Sequence, residues 1–392
     1  MKALLLALFF MAPCLYGLSL DKLIGRALNE NPSLESISHR IAANRSNIYI
    51  SDQFSNPTLS YTQNTLDENQ AMSRKSVSLQ QKLPYFGKRD SLKKVAVAQE
   101  GVLTGNLKQA KVGLVKEIKE QAYSIWELEK LYKIICDYED LTKQNIELFE
   151  SYTTTSDQQH MGIMSAELTL SDLRIQKSTL NAQIHIAYAK LSYLASFEVK
   201  DLEVDLIVKD MPGAVTLQEG LINNHRISIK EQQVRKNRAM VETADLNNYP
   251  DINLIAGYSY RENFDNYGTF GLGVTLPIYG REDHKKEELR KLTLSAQSLQ
   301  KDTEVAVHAE FQSAYLQMKS AYEIYHIVHD QALPQIAHMF ELTNASISTG
   351  GDLFKYIDIL VHKLKLEQKS ITAIANYNRA EAKISALSGA LK

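Results

Sequence analysis

The residues best suited to chemistry are few. His326-x-x-His329, with His338 further on, sets three imidazoles on roughly one side of a helical stretch. Metal ligation would need a third ligand and an open coordination position. No carboxylate or cysteine stands at matching spacing, so these read as wall or packing histidines, and no metal or other cofactor is expected. Cys136, within another helical stretch, reads as a buried thiol. No glycine-rich loop follows a strand to cradle phosphate, and no Ser/His/Asp order or H-E-x-x-H motif stands out. An enzyme is not expected. Lys88-Arg89 and Arg281 directly follow strand-like stretches. Two readings stay open for them: long basic side chains snorkelling at a leaflet boundary, or an ordinary solvated helix start. Tyr258, Tyr260 and Tyr267 are candidates for an aromatic girdle, with packing within a sheet as the rival.

The elements that must position these residues begin with Tyr249 to Gly280. Ile252, Leu254, Ala256, Tyr258 and Tyr260 alternate with Asn253, Ile255, Gly257 and Ser259. Beyond a polar turn, Phe270, Leu272, Val274, Leu276 and Ile278 alternate with Gly271, Gly273, Thr275 and Pro277. Period-2 alternation on both sides of an Asn/Asp/Gly-rich turn predicts a β-hairpin over about 250–279. One face is apolar and the other small or polar, as suits a membrane barrel with a wet lumen; a soluble hairpin lying on a core is the alternative. A weaker hairpin is expected over about 56–84, with strands near Pro57–Leu66 and Lys75–Leu83. Each second strand ends in Leu-Pro followed by an aromatic and glycine, so Pro84, Gly87, Pro277 and Gly280 mark strand-to-helix corners.

The composition narrows the setting. The chain has 392 residues, 44 basic and 46 acidic, so no nucleic-acid footprint is present. Two cysteines, Cys14 and Cys136, give no disulfide framework. Residues 1–17 combine Lys2 with the apolar run Ala3–Ala12 and read as a secretory signal peptide, cleaved after Gly17 or Ser19. Cys14 faintly suggests a lipoprotein box, although Pro13 stands where a small residue is wanted. No later run approaches the ~18 apolar residues of a membrane helix, so any crossing must be made by strands closed into a barrel.

Self-similarity organises the whole. Asn56-Pro57 answers Tyr249-Pro250, and Leu83-Pro84 with Gly87 answers Leu276-Pro277 with Gly280, at an offset of 193. Asn31-Pro32 is matched to His225-Arg226, and Thr155-Ser156 to Thr349-Gly350, at 194. Each half, 18–196 and 217–392, reads as helix, hairpin, very long helix, turn and return helix; 197–216 links them. From about Gly87 to Thr153 no proline interrupts, and some 65 residues at ~1.5 Å each give a rod of about 100 Å. Leu107, Leu114, Ile118, Ile125, Leu128, Tyr132 and Ile135 line one coiled-coil-like seam. In the second half the stripe is Phe311, Tyr315, Met318, Tyr322, Tyr325, Ala332, Ile336 and Met339, with His329 inside it and a kink expected at Pro334. Return helices are expected over about His160–Ser196 and Leu353–Ser388. Such rods cannot bury their faces alone, so oligomerisation is expected.

This layout resembles the TolC-like outer-membrane efflux proteins over essentially the whole mature chain. Leu20-Asp21 with Ala27-Leu28-Asn29-Glu30-Asn31-Pro32 is similar to the family's opening motif, and Asn56-Pro57 and Tyr249-Pro250 stand where its first and third strands begin. Leu333-Pro334, Thr349-Gly350, Asp358 and Leu387-Ser388-Gly389 also fit. The resemblance implies an α+β membrane protein. Its tandem-duplicated long α-helical hairpins would form a periplasmic α-barrel, and its two β-hairpins per subunit a 12-stranded trimeric β-barrel in the outer membrane. It implies a homotrimer that passively conducts what an inner-membrane transporter expels, joined to it through a periplasmic adaptor.

The same resemblance places a gate at the helical tips: Ser156, Asp157, Gly350, Gly351, Asp352, Lys355 and Asp358. Ser156-Asp157 stands where the first half lacks the family's tip glycine, and Lys355 where a second acid is expected. A ring of Lys355–Asp358 pairs, one turn apart, would close such a tip; ordinary exposed helix charges are the alternative. Gly87-Lys88-Arg89 resembles heavy-metal efflux members, which implies export of copper/silver or cobalt/zinc/cadmium. Type I secretion of polypeptides, multidrug export, and a purely structural periplasmic coiled coil are the other readings.

Overall fold

The computed structural model describes residues 18–65, 70, 72–151, 157–347 and 353–391. The expected signal peptide and Cys14 lie outside these residues. In order, the elements are β1 (Leu18–Ser19), α1 (Leu20–Glu30), α2 (Pro32–Ser51), β2 (Thr58–Gln63), β3 (Arg74–Leu83), α3 (Lys88–Ser151) and α4 (Asp157–Ala195). They continue with β4 (Leu202–Glu203), α5 (Ala214–Glu219), α6 (His225–Leu246), β5 (Asp251–Arg261), β6 (Tyr267–Thr275), α7 (Arg281–His326), α8 (Leu333–Ile347) and α9 (Leu353–Leu387). A π-helical segment, Ile327–Ala332, joins α7 to α8. No described helix is long and apolar enough to cross a membrane.

By compactness the chain divides into two units, and each draws on both halves of the sequence. One comprises Ser33–Lys111 and Gly220–Glu310. Its centre is a four-stranded antiparallel sheet in the order β2-β3-β5-β6. Both expected hairpins are present, and the ladder Arg74↔Arg261 to Leu83↔Ile252 joins them edge to edge. Around the sheet's helical connections, α2 meets α3 through Asn44 Nδ2 donating to the Ala96 carbonyl (2.9 Å) and the Arg45–Glu100 ion pair (2.8 Å). Lys94 reaches Glu242 of α6 at 2.6 Å.

The starts of corresponding elements differ by 193: Lys88 and Arg281, Arg74 and Tyr267, Thr58 and Asp251. The same holds for Pro32 and His225, so the residue opposite Asn31 is Asn224 and not His225. Each of these asparagines works at its helix start. Asn31 Nδ2 donates to the Leu194 carbonyl (3.2 Å), and Asn224 accepts from the amides of Arg226 and Ile227, a side-chain N-cap.

The other unit comprises Met1–Pro32, Val112–Glu219 and Phe311–Lys392. Leu114, Ile118, Ile125 and Ile135 of the expected seam are buried, but Val112, Val115 and Ala122 are buried as well. The stripe is therefore wider than a two-position seam, because α3 meets neighbours on more than one side. One core gathers Ile135, Tyr138, Ile146, Ala166, Leu173, Leu353, Tyr356, Ile357, Leu360 and Leu364 from α3, α4 and α9. The linker 197–216 does more than connect: Leu202–Glu203 pairs in parallel with Leu18–Ser19.

The helix expected to kink at Pro334 changes pitch in the π segment just before it. The Leu333 amide bonds the Val328 carbonyl, five residues back, and Pro334 has no amide to continue the α ladder. Each π turn takes in one extra residue, so the buried stripe shifts phase by one position. Phe311, Met318 and Ile336 are buried, but Met339 is exposed, and its neighbour Phe340 packs on Tyr356 with ring centroids 5.3 Å apart. His329, expected inside the stripe, is likewise exposed.

Candidate functional site

Register fixes two faces on the sheet. One carries Leu59 and Tyr61 of β2, Val77 and Leu79 of β3, Ile252, Leu254, Tyr258 and Tyr260 of β5, and Phe270, Leu272 and Val274 of β6. All of these are exposed, Phe270 at 91% and Leu272 at 68%. The opposite face carries Ser60 and Thr62, Ser76, Ser78 and Gln80, Asn253, Gly257 and Ser259, and Thr269, Gly271 and Gly273. A sheet whose more exposed face carries the apolar side chains of every strand inverts the soluble rule of polar outside, and is the pattern of strands facing lipid. Tyr258 and Tyr260 lie on the apolar face, joined there by Tyr61. Tyr267 does not: it lies on the polar face, where its hydroxyl accepts from Arg74 Nη1 at 3.0 Å. The girdle expectation fails for Tyr267 because β6 pairs Tyr267 with Ser259.

All four helical connections leave the sheet at one end, and the hairpin turns lie at the other. The corners are built alike. Gly87 has φ +87° and Gly280 φ +70°, in the left-handed region that favours glycine. Each then opens a helix, its carbonyl accepting from the Ser91 amide (2.9 Å) or the His284 amide (3.2 Å). A Cβ would find open space at Gly280 and only Leu246 Cδ1, at 3.9 Å, at Gly87, so conformation rather than crowding requires the glycines. Gly87→Ala and Gly280→Ala should each cost about 1–2 kcal/mol, read as a lowered unfolding midpoint in detergent. The aromatics beside them, Phe86 and Tyr279, are each 91% exposed.

Neither open reading of Lys88 survives. Lys88 is buried at 7% exposure, and its Nζ donates to Asp251 Oδ1 (2.7 Å) and the Tyr249 carbonyl (2.8 Å). Asp251 also accepts from the Tyr85 amide (2.9 Å) and pairs with Lys82 (3.1 Å), while Tyr85 and Tyr249 stack at 4.5 Å. Arg89 donates to the Asp52 carbonyl (2.9 Å) and lies 3.8 Å over the Phe54 ring. Arg281 alone of the three is exposed. The first corner is thereby fastened to the start of β5, and no sequence pattern marks a partner 163 residues away.

At the helical tips, Ser156, Gly350, Gly351 and Asp352 lie outside the described residues. Asp157 is the first residue of α4. Lys355 and Asp358 lie exposed on α9, next to exposed Phe354, while Leu353, Tyr356, Ile357 and Leu360 turn inward. Asp358 Oδ1 lies 3.7 Å from His362 Nε2. Asn145 Nδ2 donates to the buried Tyr356 hydroxyl (3.2 Å), and a Cβ on Gly162 would stand 3.1 Å from Leu353 Cβ, so α4 and α9 approach closely here.

The sequence reading missed Glu139. Its carboxylate is buried between α3 and α4 with Lys143 at 2.7 Å, Lys177 at 2.8 Å and Arg174 at 3.5 Å. The hydrogen bonds from Lys143 and then Lys177 lower its pKa from 4.5 to about 2. A depressed folded-state pKa contributes stability that is complete above the unfolded value and is lost as pH falls through the folded one. The thermal midpoint should therefore show no pH dependence from Glu139 above pH 4.5, where its stabilisation is complete, and fall from there toward pH 2. Glu139→Gln should lower the neutral-pH midpoint and flatten that acid limb.

The histidines are placed apart from any ligand set. His326 Nδ1 lies 2.8 Å from Asp330 Oδ2, a carboxylate one helical turn away that the expectation of none at matching spacing overlooked, and the His329 ring stacks on Tyr325 at 5.1 Å. No group of three or more metal-capable side chains occurs among the described residues. Cys136 is half-buried, not fully buried as expected, since α3 presents it at the margin of its packed face.

No family profile matches the chain, and no curated protein sequence matches it. Solved structures do. The open-state MtrE outer membrane channel of Neisseria gonorrhoeae superposes with a TM-score of 0.82 at 16% identity, covering 95% of this chain and 89% of that one. The outer membrane protein VceC of Vibrio cholerae gives 0.80 at 14%, covering 95% and 97%. The outer membrane channel CmeC of Campylobacter jejuni gives 0.79 at 12%, covering 94% and 85%. The fold is that of these outer-membrane channels. The long helical hairpins and paired β-hairpins expected from the resemblance are present in it.

Proposed function

We propose that the chain is a passive outer-membrane exit duct of a tripartite efflux system. Three copies would close their sheets into a 12-stranded barrel, and their helices would line a periplasmic tunnel. The observation that carries this reading is the exposed apolar face from Leu59 to Val274 on a four-stranded sheet, interrupted by Gln81 in mid-strand and by Gln63 and Lys75 at the turn end. Four strands cannot satisfy their own edges in lipid, so closure by further copies is required. Phe86 and Tyr279, exposed at the corners, would sit at the periplasmic interface as aromatic anchors. The duct does no chemistry, and an inner-membrane transporter reaching it through a periplasmic adaptor supplies the energy. Tandem duplication, with repeats 18–196 and 217–392, accounts for the shared offset of the element starts. The gate is assigned to Ser156, Asp157, Gly350, Gly351, Asp352, Lys355 and Asp358.

For cargo, heavy-metal cations are the proposal drawn from Gly87-Lys88-Arg89. It rests on resemblance alone, since Lys88 and Arg89 are engaged in holding the corner. Deleting the gene and measuring growth on metal salts, dyes and antibiotics tests both levels. Sensitivity to any of these, restored by the intact gene, supports the duct; unchanged metal tolerance removes the metal reading. Carbonate extraction tests the barrel itself, and release into the soluble fraction would favour a periplasmic coiled coil.

A further inference from the structure

The polar face of the sheet carries four charged residues: Arg74, Lys82, Asp251 and Arg261. Lys82 and Asp251 pair with each other at the helical end. Arg74 and Arg261 stand directly opposite one another at the turn end, as the last pair of the β3–β5 ladder. Like charges opposed across a ladder are destabilising, so a nearby carboxylate would be expected. Instead, Arg74 Nη1 donates to the Tyr267 hydroxyl. Arg261 donates through Nε (2.9 Å) and Nη2 (2.6 Å) to the Asp265 backbone carbonyl, and its guanidinium faces the rings of Phe264 and Tyr267. Neither guanidinium has a carboxylate partner among the described residues. Neutral groups therefore hold both cations in place without cancelling their charge. Glu262 and Asp265 belong to the exposed turn beyond the last ladder pair.

We propose that Arg74 and Arg261 form an anion-selective ring at the outer mouth of the pore, taking chloride and carboxylate- or phosphate-bearing solutes. This rests on the exit-duct reading, in which the polar face lines the lumen and three copies place six guanidinium groups around one mouth. Rings of arginine select anions as rings of carboxylates select cations, and low-dielectric walls strengthen the effect. A free divalent cation would be repelled at this level of the barrel, so the ring counts against the heavy-metal cargo reading, which rests on resemblance alone.

The full-length protein in planar bilayers under a potassium chloride gradient tests this. The expected reversal potential has the sign set by chloride. R74Q/R261Q should remove that preference, R74E/R261E should reverse it, and K75E, on the opposite sheet face, should leave it unchanged. Tripolyphosphate added on the turn side should block the wild-type conductance and fail to block R74Q/R261Q. Cation preference in the wild type, or selectivity and block unaltered by R74Q/R261Q, overturns the ring while leaving the duct intact. A protein that inserts and never conducts, even with the tip charges Lys355 and Asp358 both replaced by alanine, overturns the duct, and the ring with it. If R74E/R261E does not assemble, R74Q/R261Q, which adds no new charge, decides alone.

Discussion

Asp251→Asn is expected to be among the most destabilising single changes in the sheet unit, at about 3–5 kcal/mol. Replacing the carboxylate by a neutral amide leaves Lys88, 7% exposed, as a buried cation with no counter-charge, bonded to neutral oxygens such as the Tyr249 carbonyl. It also weakens acceptance of the Tyr85 amide beneath the Tyr85–Tyr249 stack. Lys88→Met should cost less, because Asp251 keeps Lys82 and that amide. The double variant Lys88→Met/Asp251→Leu should recover much of the loss, since an apolar pair of similar volume leaves no stranded charge. Chemical unfolding in detergent, followed by circular dichroism, reads all three. Equal losses from the two single changes, or no recovery in the double variant, would show that the corner is held by something else.

Leu272→Arg carries the second large effect. Leu272 sits mid-strand on the apolar face, opposite Leu254. An arginine facing lipid near the midplane of a barrel costs about 2–4 kcal/mol. Thr269→Arg, in the same strand, turns toward the polar face opposite Gly257 and should be tolerated. Outer-membrane fractionation should show a sharp loss of inserted protein for Leu272→Arg and near wild-type amounts for Thr269→Arg. The reverse ranking would mean that the two faces have been assigned the wrong way round.

Much of this architecture could be read from residue order because it rests on periodicity. Alternation of period 2 over Ile252–Tyr260 and Phe270–Ile278 placed a hairpin, and two Leu-Pro-x-x-Gly stretches placed two corners whose glycines have positive φ. Long stretches without proline placed α3 and its neighbours. What could not be read depends on contacts distant in sequence. Leu18–Ser19 and Leu202–Glu203 are too short for any period to register. Lys88 looked like a surface cation because Asp251 is remote. Glu139 gained two of its three cations, Arg174 and Lys177, from the return helix. Met339 was placed on the buried stripe by extending a regular repeat through a segment where the helix takes in an extra residue. The tips are the least legible part of the site: Lys355 and Asp358 are exposed helix charges, and their neighbours in the turn lie outside the described residues.

The mass of the purified mature chain, measured with and without detergent, bears most directly on whether the apolar face meets lipid in a shared barrel. A detergent-dependent particle of three chains, aggregating when detergent is withdrawn, is the predicted result. A monomer that remains soluble and folded in plain buffer would contradict it.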